Sequence, residues 1–253
     1  MMCLSLAGCN QLRNVAENLG SVAQGGVSVI TYQNETEYTI GDGTVSPSEV
    51  NTIKISWISG NVYIEASTEA TEISISETAD EDIKEDYKLR YLAKNGTLSV
   101  QFSRNGRWDF NKFNKQLKIT VPASLGLTAV EADTVSAKLQ MDGIVSESLK
   151  FSTVSGDVML NGGSYTKVKG NGVSAEAMLQ TEIKSELEIS TVSGDTTLFL
   201  KEGKGFSGKF ETVSGSFNSP HPYTGSTKNF TSGDGSLVIN ADSVSGSLII
   251  MKA

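Results

Sequence analysis

Lys138, Asp157, Glu176 and Asp195 recur at intervals of 19 residues. On successive rungs of a β-stack the three carboxylates would stand about 4.8 Å apart. Like charges at that spacing repel. A divalent cation among them would relieve the repulsion, and so do solvation and ionic screening. Asp157, Glu176 and Asp195 are also the best available residues for lytic or hydrolytic chemistry on sugars, which needs paired carboxylates or a carboxylate-bound cation. Their spacing, however, follows from a repeat that runs through the chain. A solvated outer face, with Asp supporting a Gly-Asp turn, therefore explains the column without a dedicated site.

Other chemistries fail on ligand supply. The single histidine, His221, sits between Pro220 and Pro222, with no cysteine or carboxylate beside it in sequence. Ser-His nucleophilic catalysis is therefore not expected, although Ser136, Ser155, Ser174 and Ser193 form a periodic column. Zinc chemistry is not expected either, because the two cysteines, Cys3 and Cys9, are confined to the N-terminus. No cofactor is called for. Arg104, Arg107, Lys112 and Lys115 cluster near Trp108 and Phe110, but 29 acidic residues outweigh 21 basic ones, and the net charge of -8 argues against nucleic acid as a partner.

The element that must position these residues is the repeat. Thr153-Val154-Ser155-Gly156-Asp157 returns as Thr191-Val192-Ser193-Gly194-Asp195, with Gly172-Val173-Ser174-Ala175 between them and Thr134-Val135-Ser136-Ala137 before. Such periodicity marks a solenoid. Stacking the rows gives six small or mostly apolar columns, beginning with Val130/Leu149/Val168/Leu187 and ending with Met141/Leu160/Leu179/Leu198. Within a row the inward positions run n, n+2, n+5, n+7, n+9 and n+11. Two alternating strands thus meet at a corner formed by the Thr-Val pair, and Val154, Val173 and Val192 are expected to stack inside adjacent coils. Gly156, Gly194, Gly215 and Gly246 fill a column, shared with Ala137 and Ala175, whose narrow interior leaves no space for a larger side chain. The serine column should point outward as a hydrogen-bonded turn feature. On the outer face, Glu131 should lie beside Lys150 and Lys169 beside Glu188.

The template recurs at Ile53/Ile55/Ile58/Gly60/Val62/Ile64 and at Ile239/Ala241/Val244/Gly246/Leu248/Ile250. Thr212-Val213-Ser214-Gly215 follows its predecessor by 21 residues, the Lys201–Gly205 turn taking up the difference. The stretch up to Val244 reads as an extended loop with a partial strand near Leu237–Ile239. Nearer the start, two alternating segments flank Lys94-Asn95-Gly96, a hairpin signal. Trp108, Phe110 and Phe113 then cluster before the strand Leu117/Ile119/Val121. Packing as a plug over the open end of the solenoid is the favoured reading of these aromatics, and a ligand-facing surface patch is the alternative.

Two units follow. Residues 1–40 form an N-terminal tail, read as a signal or membrane-anchor remnant. It carries a short helix whose apolar face is Leu12/Val15/Ala16/Leu19. Residues 41–253 form one all-β solenoid domain, with 41–49 as a linker or turn before the first coil. Leu6-Ala7-Gly8-Cys9 resembles the lipobox of bacterial lipoproteins, which would make Cys9 a lipidation site. Yet only eight residues precede Cys9, none of them Lys or Arg. Either the sequence starts late or the match is accidental, and contact with a membrane is expected only through such an anchor.

The repeated Thr-Val-Ser-Gly-Asp string and the Ile-Ser-Trp-Ile-Ser-Gly-Asn-Val segment from Ile55 to Val62 resemble the bacterial putative-adhesin family of β-strand-repeat proteins common in Firmicutes. The resemblance extends from about Tyr38 to the C-terminus. It implies a right-handed parallel β-solenoid attached to the cell envelope, membrane-anchored or extracellular, and it supplies no catalytic residue. The leading functional expectation is a non-enzymatic envelope protein presenting a rigid face to protein or glycan partners. The alternatives are a structural or regulatory module that binds a membrane-associated protein, and a polysaccharide lyase or hydrolase.

Overall fold

The computed structural model describes residues 32–106 and 114–253. Its strands join one hydrogen-bonded, mostly parallel sheet that does not close on itself. The inward columns hold in register: Val130 pairs with Leu149, Leu149 with Val168, Val168 with Leu187 and Leu187 with Ile239. On the second side of each rung, Leu139 pairs with Val158, Val158 with Ala177, Ala177 with Thr196 and Thr196 with Leu248. Each rung has an alternating strand that buries one face, and stacking the rungs turns those faces into one continuous core.

The order of the rungs departs from the order of the sequence at both ends. The strand Val50–Ser67 does not begin the stack. It lies between Leu127–Asp142 on one side and the pair Gly96–Gln101 and Gln116–Pro122 on the other. Likewise, Leu237–Ser245 and Leu248–Lys252 insert between 183–200 and the pair Phe206–Thr212 and Phe217–Asn218. The Thr212 rung therefore does not rest on the Thr191 rung, because Ser243 pairs with both. The region expected as an extended loop with a partial strand holds a complete rung and a capping hairpin.

Antiparallel strands cover the end rungs. Ile73–Thr78 pairs with Gln116–Pro122, and Arg90–Lys94 pairs with Gly96–Gln101 through the expected Asn95-Gly96 turn, where φ is 52° and 78°. At the far end Asn229–Ser232 pairs with Phe206–Gly208, and Thr224–Ser226 pairs with Asn229–Ser232 in turn. Such covers occupy backbone donors and acceptors that an open parallel edge would offer to another chain.

The corner differs from the expected one. Thr134, Thr153 and Thr191 are buried, whereas Val135, Val154, Val173 and Val192 are only half-buried and Val213 is 65% exposed. Alternation continues one step further than the apolar pattern suggested, and the chain turns at Val-Ser. The inward threonine can serve the turn in a way valine cannot: Thr153 Oγ1 accepts a hydrogen bond from the Gly156 N–H at 2.9 Å. The serines are exposed as expected, with Ser136 Oγ donating to the Ile58 carbonyl at 3.2 Å.

The part of the expected tail that is described is docked to the body. Thr39–Ile40 pairs with Arg90–Tyr91, and the Asn105 side chain bonds both the N–H and the carbonyl of Tyr32. The expected linker contains the strand Gly43–Val45, paired with Ile73–Ile75. Cys9, the Leu12/Val15/Ala16/Leu19 face and Trp108, Phe110 and Phe113 lie outside the described residues. No helix among the described residues is long and apolar enough to cross a membrane.

Candidate functional site

The outer face of the second strand of each rung carries the residues singled out for chemistry. Alternation puts position 138 and its rung partners 157, 176 and 195 outward, so Lys138, Asp157, Glu176 and Asp195 do form one exposed column. Two of these carboxylates are spent on the backbone. Asp157 accepts from the Glu176 N–H at 3.2 Å, and Asp195 accepts from the Ser247 N–H at 2.7 Å. Each bond ties one rung to the next across the corner, where the strand ladder is interrupted and an N–H would otherwise be left to water. Among the described residues there is no group of three or more His, Cys, Asp or Glu side chains arranged to hold a metal ion. The geometry thus gives the aspartates a turn-supporting role.

Beside this column runs a second one, absent from the sequence-based candidates. Gln140, Met159, Met178, Thr197 and Ile249 occupy successive rungs, with Phe199 and Met251 two residues further along their strands. Met178 is 41% exposed and Met251 43%. Of these, Met159, Met178, Thr197 and Ile249 line a shallow groove of about 170 Å³ together with the acidic column. The signal in the sequence was partial, because Met159 and Met178 stand one period apart while the flanking rungs carry the polar Gln140 and Thr197.

Toward the other end of the stack the same face becomes a polar network. Glu65 meets Lys118 Nζ at 2.9 Å and accepts from Thr120 Oγ1 at 3.1 Å. The hydrogen bond from Lys118, reinforced by Thr120, holds the Glu65 carboxyl below the usual range. At Asp142 burial pushes upward, but donors from Tyr63, Asn161 and Gln140 outweigh it and leave the pKa lowered. The expected opposite-charge columns on the first strand also form. Glu131 pairs with Lys150 in the ladder and bonds Lys54 at 3.0 Å, while Lys169 bonds Glu188 at 2.8 Å.

Among the described residues the most enclosed charged pair lies elsewhere and has no periodic signature. Lys115 Nζ sits 2.6 Å from Glu77 Oε2, with side chains 0% and 5% exposed. It also donates to the Tyr87 and Phe102 carbonyls and lies over the rings of Trp57 and Phe102. Burial lowers its pKa against the opposing pull of Glu77. With both side chains withdrawn from solvent, the pair works as an internal clamp between the end rung and its cap. His221 is buried too, edge-on to Phe206. Ser219 bonds the backbone of His221 and not its imidazole, so no Ser-His pair is assembled there.

Comparison with known proteins agrees with this architecture. A crystal structure of a putative cell adhesion protein from Clostridium sporogenes superposes with a TM-score of 0.51 at 15% identity, covering 85% of this chain and 100% of that one. A putative adhesin from Bacteroides fragilis gives a TM-score of 0.45 at 16% identity, covering 84% of this chain and 97% of that one. No curated protein matches the chain. A family model, Toastrack DUF4097, matches residues 50–177 and again 125–250, two overlapping windows offset by about four periods of the repeat. Because those matches together cover most of its length, the chain belongs to the Toastrack DUF4097 family.

Proposed function

We propose that the chain is a non-enzymatic cell-envelope protein that presents a rigid β-solenoid surface to protein or glycan partners. The observation that carries this reading is the register of the outer columns. Successive strands pair residue for residue, Lys54 with Glu131, Glu131 with Lys150 and Lys169 with Glu188, so that outward side chains keep fixed spacings over the length of the stack. A surface so held loses little conformational freedom when it binds. On this reading the solenoid is right-handed, with coils of about 19 residues, and Cys9 would be its lipid attachment point if Leu6-Ala7-Gly8-Cys9 is a lipobox. The C. sporogenes structure, described as that of a putative cell adhesion protein, supports an adhesive role by likeness of fold alone.

The test is to offer the intact protein to envelope extracts and, separately, to a glycan array. Retention of a defined protein or glycan, dependent on charge-reversing substitutions in the outer columns, is the expected result. Failure of both to show any retained partner would overturn the reading.

A further inference from the structure

The groove between the acidic column and the methionine column suits one kind of partner. We propose that it docks an amphipathic helix of another protein, apolar on its contact face and carrying Lys or Arg along one flank. This deepens the reading of the chain as a presenting surface and rests on it.

Rungs follow one another at about 4.8 Å, and an α-helix advances about 5.4 Å per turn. A helix lying along the stacking direction therefore sets one apolar position per turn over each of Met159, Met178, Thr197 and Ile249. The drift of about 0.6 Å per turn is small enough for flexible methionine side chains to absorb. Phe199 and Met251 border the stripe on one side. On the other, Asp157, Glu176 and Asp195 stand about 7 Å away along the strands, within reach of basic side chains on the helix flank. Lys138 ends the acidic column and limits the basic flank to about three turns.

Charge also sets aside other occupants. A second copy brings the same acidic column and a net charge of -8, which opposes association. An anionic lipid surface meets the same repulsion. A glycan gains little from a stripe whose exposed members are Met178 and Met251.

The experiment uses the intact chain and a labelled synthetic helix with leucines at i, i+3, i+4 and i+7 and lysines on one flank, followed by fluorescence anisotropy at low salt. Expected is saturable binding that weakens by about tenfold or more when the lysines become glutamates, when Met178 is changed to Asp, or when Glu176 is changed to Lys. Glu176→Lys leaves the Asp157 and Asp195 acceptors in place, and unchanged thermal melting of each variant shows that the stack is intact. No saturable binding, or binding indifferent to Met178→Asp and Glu176→Lys, overturns the proposal. So does co-sedimentation of the chain with neutral or anionic vesicles that is lost in Met178→Asp. If the parent and Met178→Asp retain the same envelope partners, the docking surface falls while the presenting function stands; if the parent retains none, that function falls.

Discussion

Phe151 and Gly170 are partners on adjacent rungs, and the ring of the first occupies the space that a side chain on the second would need. A Cβ on Gly170 would overlap Phe151 Cζ and come within 2.7 Å of Ile189 Cδ1 from the rung on the other side. Gly170→Ala should therefore cost about 1–3 kcal/mol through overpacking, and Phe151→Ala about 3–5 kcal/mol through a cavity. Combined, the two substitutions should cost less than their sum by about 1 kcal/mol or more, because each relieves the other's defect. Urea unfolding of the four proteins measures this coupling, and strict additivity would show that the two positions are not packed together.

The corner glycines face a different obstacle. At Gly194, where φ is 133°, a Cβ would overlap the carbonyl oxygen of Ala175 on the neighbouring rung. Backbone cannot step aside as a side chain can, so Gly194→Ala should destabilise by about 2 kcal/mol or more. Gly126, with nothing within 4 Å of its would-be Cβ, is the control and should tolerate alanine with little change. Equal melting temperatures for the two variants would refute the close approach.

How much of this was legible follows from what repeats. Ile53, Val130, Leu149, Val168, Leu187 and Ile239 declare one column because each faces the same core, and the Asn95-Gly96 turn declares itself by its need for positive φ. The order of the rungs was hidden for the same reason. Every rung presents equivalent columns, so the pattern does not say which one is its neighbour, and long connections at 68–95 and 219–236 let the outermost rungs form out of sequence. The corner was misplaced because threonine reads as polar, while its hydroxyl finds a partner in the turn and can be buried. The acidic column was legible as a column, but its hydrogen bonds to the next rung depend on a turn geometry that composition does not carry. Lys115 and Glu77 gave no signal at all, since their pairing comes from the cap and not from the period.

Removing one member of that buried pair should be severe. Lys115→Met leaves Glu77 sealed from water opposite an apolar side chain, and a loss of about 3–5 kcal/mol is expected. Adding Glu77→Leu removes the stranded charge, so the double variant should be less damaged than the sum of the two single ones. Chemical denaturation of all four combinations tests it. A loss below about 1 kcal/mol for Lys115→Met would place the pair at the surface.

Acid should act on the opposite-charge face. Glu65 titrates below its unfolded value of about 4.3, so its ionised form favours the folded state. That contribution is complete above the unfolded pKa and is lost as pH falls through the lower folded one. Asp142, also lowered, acts in the same direction. Glu65→Gln should therefore melt below the parent at neutral pH, with the gap closing below about pH 4. A gap independent of pH from 6 to 3 would mean that the Lys118 contact does not favour the charged form.

The inserted last rung offers the sharpest test of the topology. If the rungs were stacked in sequence order, ending the chain after Ser236 would strip one outer rung and leave the rest largely intact, as terminal repeats of linear arrays allow. In the observed order the same truncation removes the rung that joins the outermost one to the rest of the stack. Leu187 and Ile189 lose their partners Ile239 and Ala241, and the Phe206–Thr212 rung loses the ladder that attaches it to the stack. The capping hairpin at Asn229–Ser232 holds only that detached rung. A protein ending at residue 236 should thus lose protection against amide exchange throughout Phe206–Thr212 and unfold at lower urea with a shallower transition, whereas replacing the exposed Met251 and Lys252 alone should leave both unchanged. Full retention of exchange protection in Phe206–Thr212 after truncation would show that this strand rests directly on the Leu187 rung.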